Sequence, residues 1–364
     1  MQVVIAGIRA VTRRAAWCVP VRVDPRGVAG STKAAAAGPR WRRTSKGYYV
    51  PVGVTDELPE QRILEKSMRL PPGGAVTGWA ACRLLGAAFF DGLATDGRTR
   101  VPVPLWVGDL AQLTKDEHAR VVRDRMVPGE LTRRSGIPCT RPLRALFDEA
   151  RAAPDVREAV VAVDMMAAAE LSSIQQLVEY VDTMGGVNGV PQVREALELA
   201  SEDSRSPNET RLRLIWQLDA GLPRPLVNQP VFDRGGRLLG IADLLDPVAG
   251  VVGEFDGADH RSAARHSADV DRENRFRDAG LEVFRVTGPD IPRRGVIVAR
   301  ILAARGRARW LWPHARAWTT TPPADWAVEL PSTSARPWCR AGQVAPARPW
   351  HRLHCSRPPG PHSI

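Results

Sequence analysis

Cysteine is scarce, and its placement excludes two chemistries at once. The five cysteines (Cys18, Cys82, Cys139, Cys339 and Cys355) are odd in number, widely spaced, and nowhere form a C-x-x-C pair. That argues against a disulfide framework and against a cysteine zinc site, and a reducing cytoplasm is the expected compartment. Long apolar runs are missing too: nothing approaches the roughly 18 residues that a membrane span needs, so no membrane association is expected. The opening MQVVIAGIRAVTRRAAW is too interrupted by arginine to read as a secretory signal. Acidic residues are lacking from residues 333–364, which hold five Arg and three His.

That basic tail accounts for part of a wider imbalance. Over 364 residues, 51 Lys and Arg stand against 40 Asp and Glu, a formal net charge of +11. A field of that sign favours polyanions, and nucleic acid is the commonest soluble one. With 44% hydrophobic residues the composition is that of a globular protein, and the length exceeds what one compact core usually holds.

Four segments follow from the patterning. Residues 1–44, rich in Arg, Gly and Ala, read as a poorly ordered basic lead-in. Residues 45–202 read as a mixed α+β domain. GYYVPVGV and VPVPLWVGD look like strands, as does the stretch 121–127, and helices are expected over 59–68, 75–85, within 155–182 and over 189–202, with Thr77 as an N-cap. RSGIPCT reads as a loop before a helix that carries Leu143, Leu146 and Phe147 on one face. Residues 204–310 change pattern: a helix over 207–220, three strands (VNQPVFD, LLGIADLLD, GVVGEFD), a polar helix over 263–279 and a last strand, LEVFRVT. This α-β-β-β-α-β order predicts a mixed sheet, because a strand, a crossover helix and a second strand make a parallel unit. Residues 322–364, rich in Pro, Arg and Trp without periodicity, are expected to be disordered.

Chemistry concentrates in LLGIADLLDPVAGVVGEFDG, read as a hairpin about the turn formers Asp246, Pro247 and Gly250. Side chains alternate along a strand, so Glu254 and Asp256 share a face. Asp243, on the neighbouring strand, joins them if the register allows. Three carboxylates among apolar neighbours repel one another unless a cation sits between them. Oxygen-only donors suit Mg²⁺ or Mn²⁺ rather than zinc, which makes Asp243, Glu254 and Asp256 the candidate metal ligands. The competing reading places these acids on the solvent face of an edge hairpin. His260, four residues beyond Asp256, Arg285 on the last strand, and Glu209 on the first helix complete the candidate set. Ser206-Pro207-Asn208-Glu209 also fits a capping box, which by itself would explain Glu209. Arg265, Arg272 and Arg275 alternate with acids, as on a salt-bridged solvent face, or else form a cationic flank for a nucleic-acid backbone.

The ordered motifs SPNETRLRLIWQLDAGLP, IADLLDP, VVGEFDGADH and DRENRFRDAGLEVFRVT resemble an actinobacterial family. Its C-terminal domain looks like the very-short-patch-repair endonucleases of the PD-(D/E)XK, restriction-endonuclease-like superfamily. The resemblance spans roughly residues 204–291. It implies an α/β restriction-endonuclease-like domain that hydrolyses DNA phosphodiesters, DNA ahead of RNA. Asp243 matches the first metal-binding aspartate, Glu254 the acid of the (D/E)-x-K element, and Glu209 the glutamate often found on the first helix. His260 lies near the histidine of the repair enzymes. The motif lysine is absent and Asp256 stands in its place, so either His260 or Arg285 supplies the positive charge, or Asp256 is a further metal ligand, or the fold binds nucleic acid without cleaving it, as an antitoxin-like repressor would. In the N-terminal half, GYYVP followed by VTGWAACRLLG is similar to AbiEi-type antitoxins of type IV toxin–antitoxin systems, which implies a toxin–antitoxin context.

Overall fold

The computed structural model describes residues 17–26, 32–108, 112–257, 263–324 and 326, with the backbone alone for 263–269. His260 and the 327–364 portion of the tail lie outside the described residues. The chain is α/β, with three sheets, and residues up to Ala324 gather into one compact unit.

The first sheet contains β1 (Val21–Arg22), β2 (Trp41–Ser45) and β3 (Tyr48–Pro51) in the order β1-β3-β2, with helix α1 (Lys33–Ala36) before β2. The lead-in expectation is therefore corrected for its described part: residues 41–44 are strand, paired antiparallel with β3, and Thr44 is buried. After α2 (Pro59–Ser67) come β4 (Ala75–Val76), α3 (Gly78–Leu85), β5 (Val103–Trp106), β6 (Ala119–Val122), β7 (Leu131–Arg134) and β8 (Ile137–Thr140), arranged β6-β5-β4-β8-β7. The expected loop RSGIPCT is in fact half of a hairpin. Ser135 and Gly136 both take positive φ, 49° and 80°, as a two-residue turn matched to strand twist requires. Thr77 precedes α3 without capping it through its side chain. Its hydroxyl instead donates to Asp148 (2.6 Å), while the Glu149 carboxylate takes the Trp79 N–H at 2.8 Å.

Helices α4 (Pro142–Ala152), α5 (Val156–Ala168), α6 (Ile174–Asp182) and α7 (Val190–Leu199) close the first core, where Phe147, Met165, Met166 and Leu177 are fully buried. Helix α8 (Pro207–Leu214) runs on through a π-helical turn (Ile215–Asp219). Next come β9 (Leu226–Asp233), β10 (Leu238–Asp246), β11 (Val251–Asp256), α9 (Ala263–Asp278), β12 (Glu282–Thr287), α10 (Arg294–Arg307) and β13 (Trp318–Thr319). The third sheet is ordered β12-β11-β10-β9-β13. β9, β10 and β11 are antiparallel neighbours, whereas β11 and β12 are parallel across the α9 crossover, which is the expected α-β-β-β-α-β order. Its two sides bury separate clusters. Trp216, Leu244, Phe284 and Ile301 pack on one, and Leu245, Val252, Phe276 and Val283 on the other. α10 has apolar Ile297, Ile301 and Ala304 turned inward and was not anticipated from the sequence.

The two cores are joined through α8, which sends Leu214 into the first and Leu212 into the second, and by a buried ion pair. Arg213 of α8 donates to Asp164 of α5 at 2.8 Å, with both side chains fully enclosed. Asp164 also accepts from the Ser201 N–H (2.7 Å) and the Thr210 hydroxyl (2.8 Å). Removing one member of such a pair strands a buried charge. Arg213→Met should lower unfolding stability by about 3–5 kcal/mol, as measured by urea titration; a change within experimental error would show that the pair carries no such constraint.

Candidate metal centre

The site is built where α8, β10, β11 and α9 converge. β10 and β11 pair Leu244 with Gly253, Leu245 with Val252 and Asp246 with Val251. Asp243 is the next residue beyond that ladder, and its Oδ2 accepts from the Phe255 N–H at 2.8 Å. Its carboxyl thus lies against the peptide that joins Glu254 to Phe255. Burial pushes the Asp243 pKa well above the usual carboxylate range, and the charges of Glu254 and then Glu209 push it further; the Phe255 N–H and Arg272 act in the opposite sense. The mutual repulsion anticipated for clustered acids is therefore present, and it involves residues from three elements.

Glu254 is buried, at 4% exposure, and is met by Arg272 from α9, whose Nη2 lies 2.5 Å from its Oε2. Close packing brings that arginine in. A Cβ on Gly240 would come within 2.8 Å of both Arg272 Cγ and Phe276 Cζ, so β10 must be bare at this point for α9 to approach. On the far side of β11, Glu254 is the parallel partner of Arg285 and Asp256 that of Thr287. Asp256 is half-buried and lies 3.6 Å from Arg285 Nη1, while Arg285 Nη2 reaches Glu273 of α9 at 2.6 Å. Asp256 is thus paired with a strand arginine.

Glu209 makes the contacts of a helix cap. Its Oε1 accepts from the Ser206 hydroxyl at 3.0 Å and its Oε2 from the Arg205 N–H at 2.9 Å, while its own N–H donates to Ser206 Oγ at 3.2 Å. That is reciprocal capping, displaced by one residue from the usual box. Yet it is buried and close enough to raise the Asp243 pKa. Asn228 of β9 supplies a third donor, 2.8 Å from Oε2, while also donating to the Asp203 carbonyl at 2.8 Å. Asn228 adopts φ 47°, a left-handed conformation that asparagine tolerates better than most residues. Sequence reasoning did not single out Asn228. The unusual Val-Asn-Gln-Pro in a strand was the signal that could have found it.

The expected cage of three carboxylates is not seen: among the described residues, no three His, Cys, Asp or Glu side chains lie close enough to hold an ion together. Asp256 is drawn toward Arg285 and Glu209 is held by its three donors, which leaves Glu254 as the acid whose charge acts most strongly on Asp243. Two carboxylates suit Mg²⁺, which keeps several waters and draws further oxygens from a phosphate substrate. The donor set and the raised Asp243 pKa both fit a divalent cation. Arg275, another member of the anticipated flank, is used structurally, donating to the Leu239 carbonyl at 2.8 Å. The side chain of Arg265 lies outside the described set. Compared with family models, with curated proteins and with solved structures, the chain finds no match.

Two outcomes follow. Gly240→Ala should cost about 1–3 kcal/mol of stability by overpacking against Phe276 and should displace Arg272 from Glu254; thermal melting with the metal absent checks it, and an unchanged midpoint would refute the close approach. The second concerns pH. Because the folded pKa of Asp243 is raised, its contribution to stability is complete below the unfolded value of about 3.9 and is lost as pH rises through the folded value. Asp243→Asn should therefore melt higher than the parent near pH 8, by about 2 °C, and should lose that advantage toward pH 4.

Proposed function

We propose that the protein is a metal-dependent endonuclease of the restriction-endonuclease-like class that hydrolyses phosphodiester bonds of DNA. The observation that carries this reading is the Asp243–Glu254 pair on adjacent strands, disfavoured electrostatically and backed by Glu209 from the first helix, within an α-β-β-β-α-β unit. Asp243 and Glu254 would hold Mg²⁺ or Mn²⁺. Such an ion supplies Lewis-acid stabilisation of a phosphoryl oxygen and lowers the pKa of a water.

The chain's own groups have separate tasks in this reading. The peptide N–H of Phe255 fixes the Asp243 carboxyl, and Glu209, itself fixed by Ser206 and Asn228, sets the charge around it. Arg272 compensates Glu254 and would turn to a backbone phosphate when an ion takes over that duty. Arg285 holds Asp256 and Glu273 on the same side of the sheet, supplying the positive charge expected there of the motif lysine. The net charge of +11 favours approach of a polyanion.

A second reading, a nucleic-acid-binding regulator of antitoxin-like type that retains the fold without turnover, is favoured by one feature. Arg272 already neutralises Glu254 directly, which an inactive fold would find sufficient. Incubation of supercoiled or mismatched DNA with Mn²⁺ separates the two. The endonuclease reading expects nicking that chelation abolishes and that Asp243→Ala reduces at least a hundredfold, since loss of one metal-orienting group typically costs about 10–100-fold and loss of a ligand more. Salt-dependent DNA binding that survives loss of both Asp243 and Glu254, with no cleavage of any substrate, would leave the regulator.

A further inference from the structure

A second charged feature lies in the N-terminal half, away from the acidic pair and unused by the nuclease reading. A cavity of about 150 Å³ opens between β2, α2 and the segment 100–103 that leads into β5, with His118 at its rim. One water needs on the order of 10–15 Å³ by the same measure, so there is room for a small polyatomic ligand. Five side chains that line it are permanently cationic and two are acidic, an excess of three positive charges before His118 is counted.

The acids are already engaged. Glu65 forms a two-pronged pair with Arg42 (2.6 and 3.1 Å), and Asp56 pairs with Arg100 at 2.9 Å. Lys66 is directed to Asp116, 3.0 Å away, and to the Thr44 carbonyl. Arg62 is different. It is 8% exposed, its described hydrogen bonds go to backbone carbonyls, those of Gly92 (3.1 Å) and Asp91, and its guanidinium lies over the Trp79 ring, 5.5 Å from the ring centre. Its buried Nε–H meets no acceptor among the described residues. Burial lowers its pKa from the ordinary arginine value, and the neighbouring Arg100 charge lowers it further. Asp91 and Asp56 act on it in the opposite sense, but neither carboxylate is hydrogen-bonded to it among the described residues, and a buried guanidinium beside further cations gains when an anion completes its hydrogen bonds. Arg43 is exposed, and its described hydrogen bond is a single one from Nε to the Ser45 carbonyl, at 3.3 Å.

We propose that this cavity binds a small organic phosphomonoester, with the phosphate held by Arg43, Arg62 and Arg100 and the carbon skeleton against the Val101–Val103 wall. A dianion answers the positive excess, and arginine forks match phosphate oxygens in geometry. A concavity of this size with an apolar side suits a discrete ester better than a duplex backbone, whose phosphates are monoanionic and run along a groove.

Calorimetry on the full chain tests this, in chelator at fixed ionic strength so that the acidic site plays no part. The probes are phenyl phosphate, inorganic phosphate and a short DNA duplex. Phenyl phosphate should bind saturably and at least as tightly as inorganic phosphate. In the Arg43→Gln/His118→Gln double variant, where both residues are exposed, its affinity should fall about tenfold, or about 1.4 kcal/mol. Arg62→Met, with its fold checked by circular dichroism, should weaken it further. Absence of saturable binding, equal affinity in the double variant, or binding confined to inorganic phosphate or to the duplex would each overturn the proposal.

Discussion

The buried pair between Asp164 and Arg213 is the constraint on which the positions of the other groups rest. Arginine and aspartate are taken wholly out of water there, at a desolvation cost that only good geometry and extra hydrogen bonds repay. Ser201 and Thr210 supply those bonds, so the pair tolerates one placement of α8 against α5. Two outer pairs reinforce it: Arg211 with Glu158, at 2.9 and 2.7 Å, and Arg157 with Asp219, at 2.9 Å through both prongs. Glu209 lies one helical turn before Arg213, on the same short helix. Its distance from Asp243 is accordingly set from two sides, by the packing of α8 in the N-terminal half of the chain and by Asn228 of the sheet that carries Asp243.

Around the acidic pair, charge is balanced by arginines drawn from elements that sequence distance separates. Arg272 comes from the crossover helix and Arg285 from the strand that follows it. Each meets an acid of β11, and Glu273 ties Arg285 back to α9. Parallel pairing of β11 with β12 makes this possible, because it brings Arg285 level with Glu254. An antiparallel return would have set a different residue there. Asp246, two residues beyond Leu244, has no part in this balance: it takes the Val248 and Ala249 N–H groups of its own turn and pairs with Arg305.

Elements with strong local signals were legible in the sequence. The three strands and the polar helix around the candidate site fall within a residue or two of the expected bounds, since alternation and turn residues speak for themselves there. The π-helical end of α8 has no such local signature. The β7–β8 hairpin was missed because LTRR has too little apolar character, although Ser-Gly marks a tight turn. Strand β2 was missed for a similar reason, with four polar or charged residues following Trp41. At the site, the acids could be named because they interrupt apolar strands. Which cation answers each acid could not, because Arg272 finds its partner through the packing of α9 over Gly240 and Arg285 through the parallel pairing of β12 with β11. The preference of Asp256 for an arginine over a shared ion is likewise a property of three-dimensional proximity.

The two-residue strand β13 has an effect out of proportion to its size. It pairs with Asp233 and Phe232 at the outer border of the third sheet and seats Trp318, 4% exposed, in the core beneath. Further along the same border, β9 presents Pro230, which has no N–H to offer. A border shortened in this way gives a foreign strand little to hydrogen-bond with, and so resists the runaway stacking to which open sheets are prone.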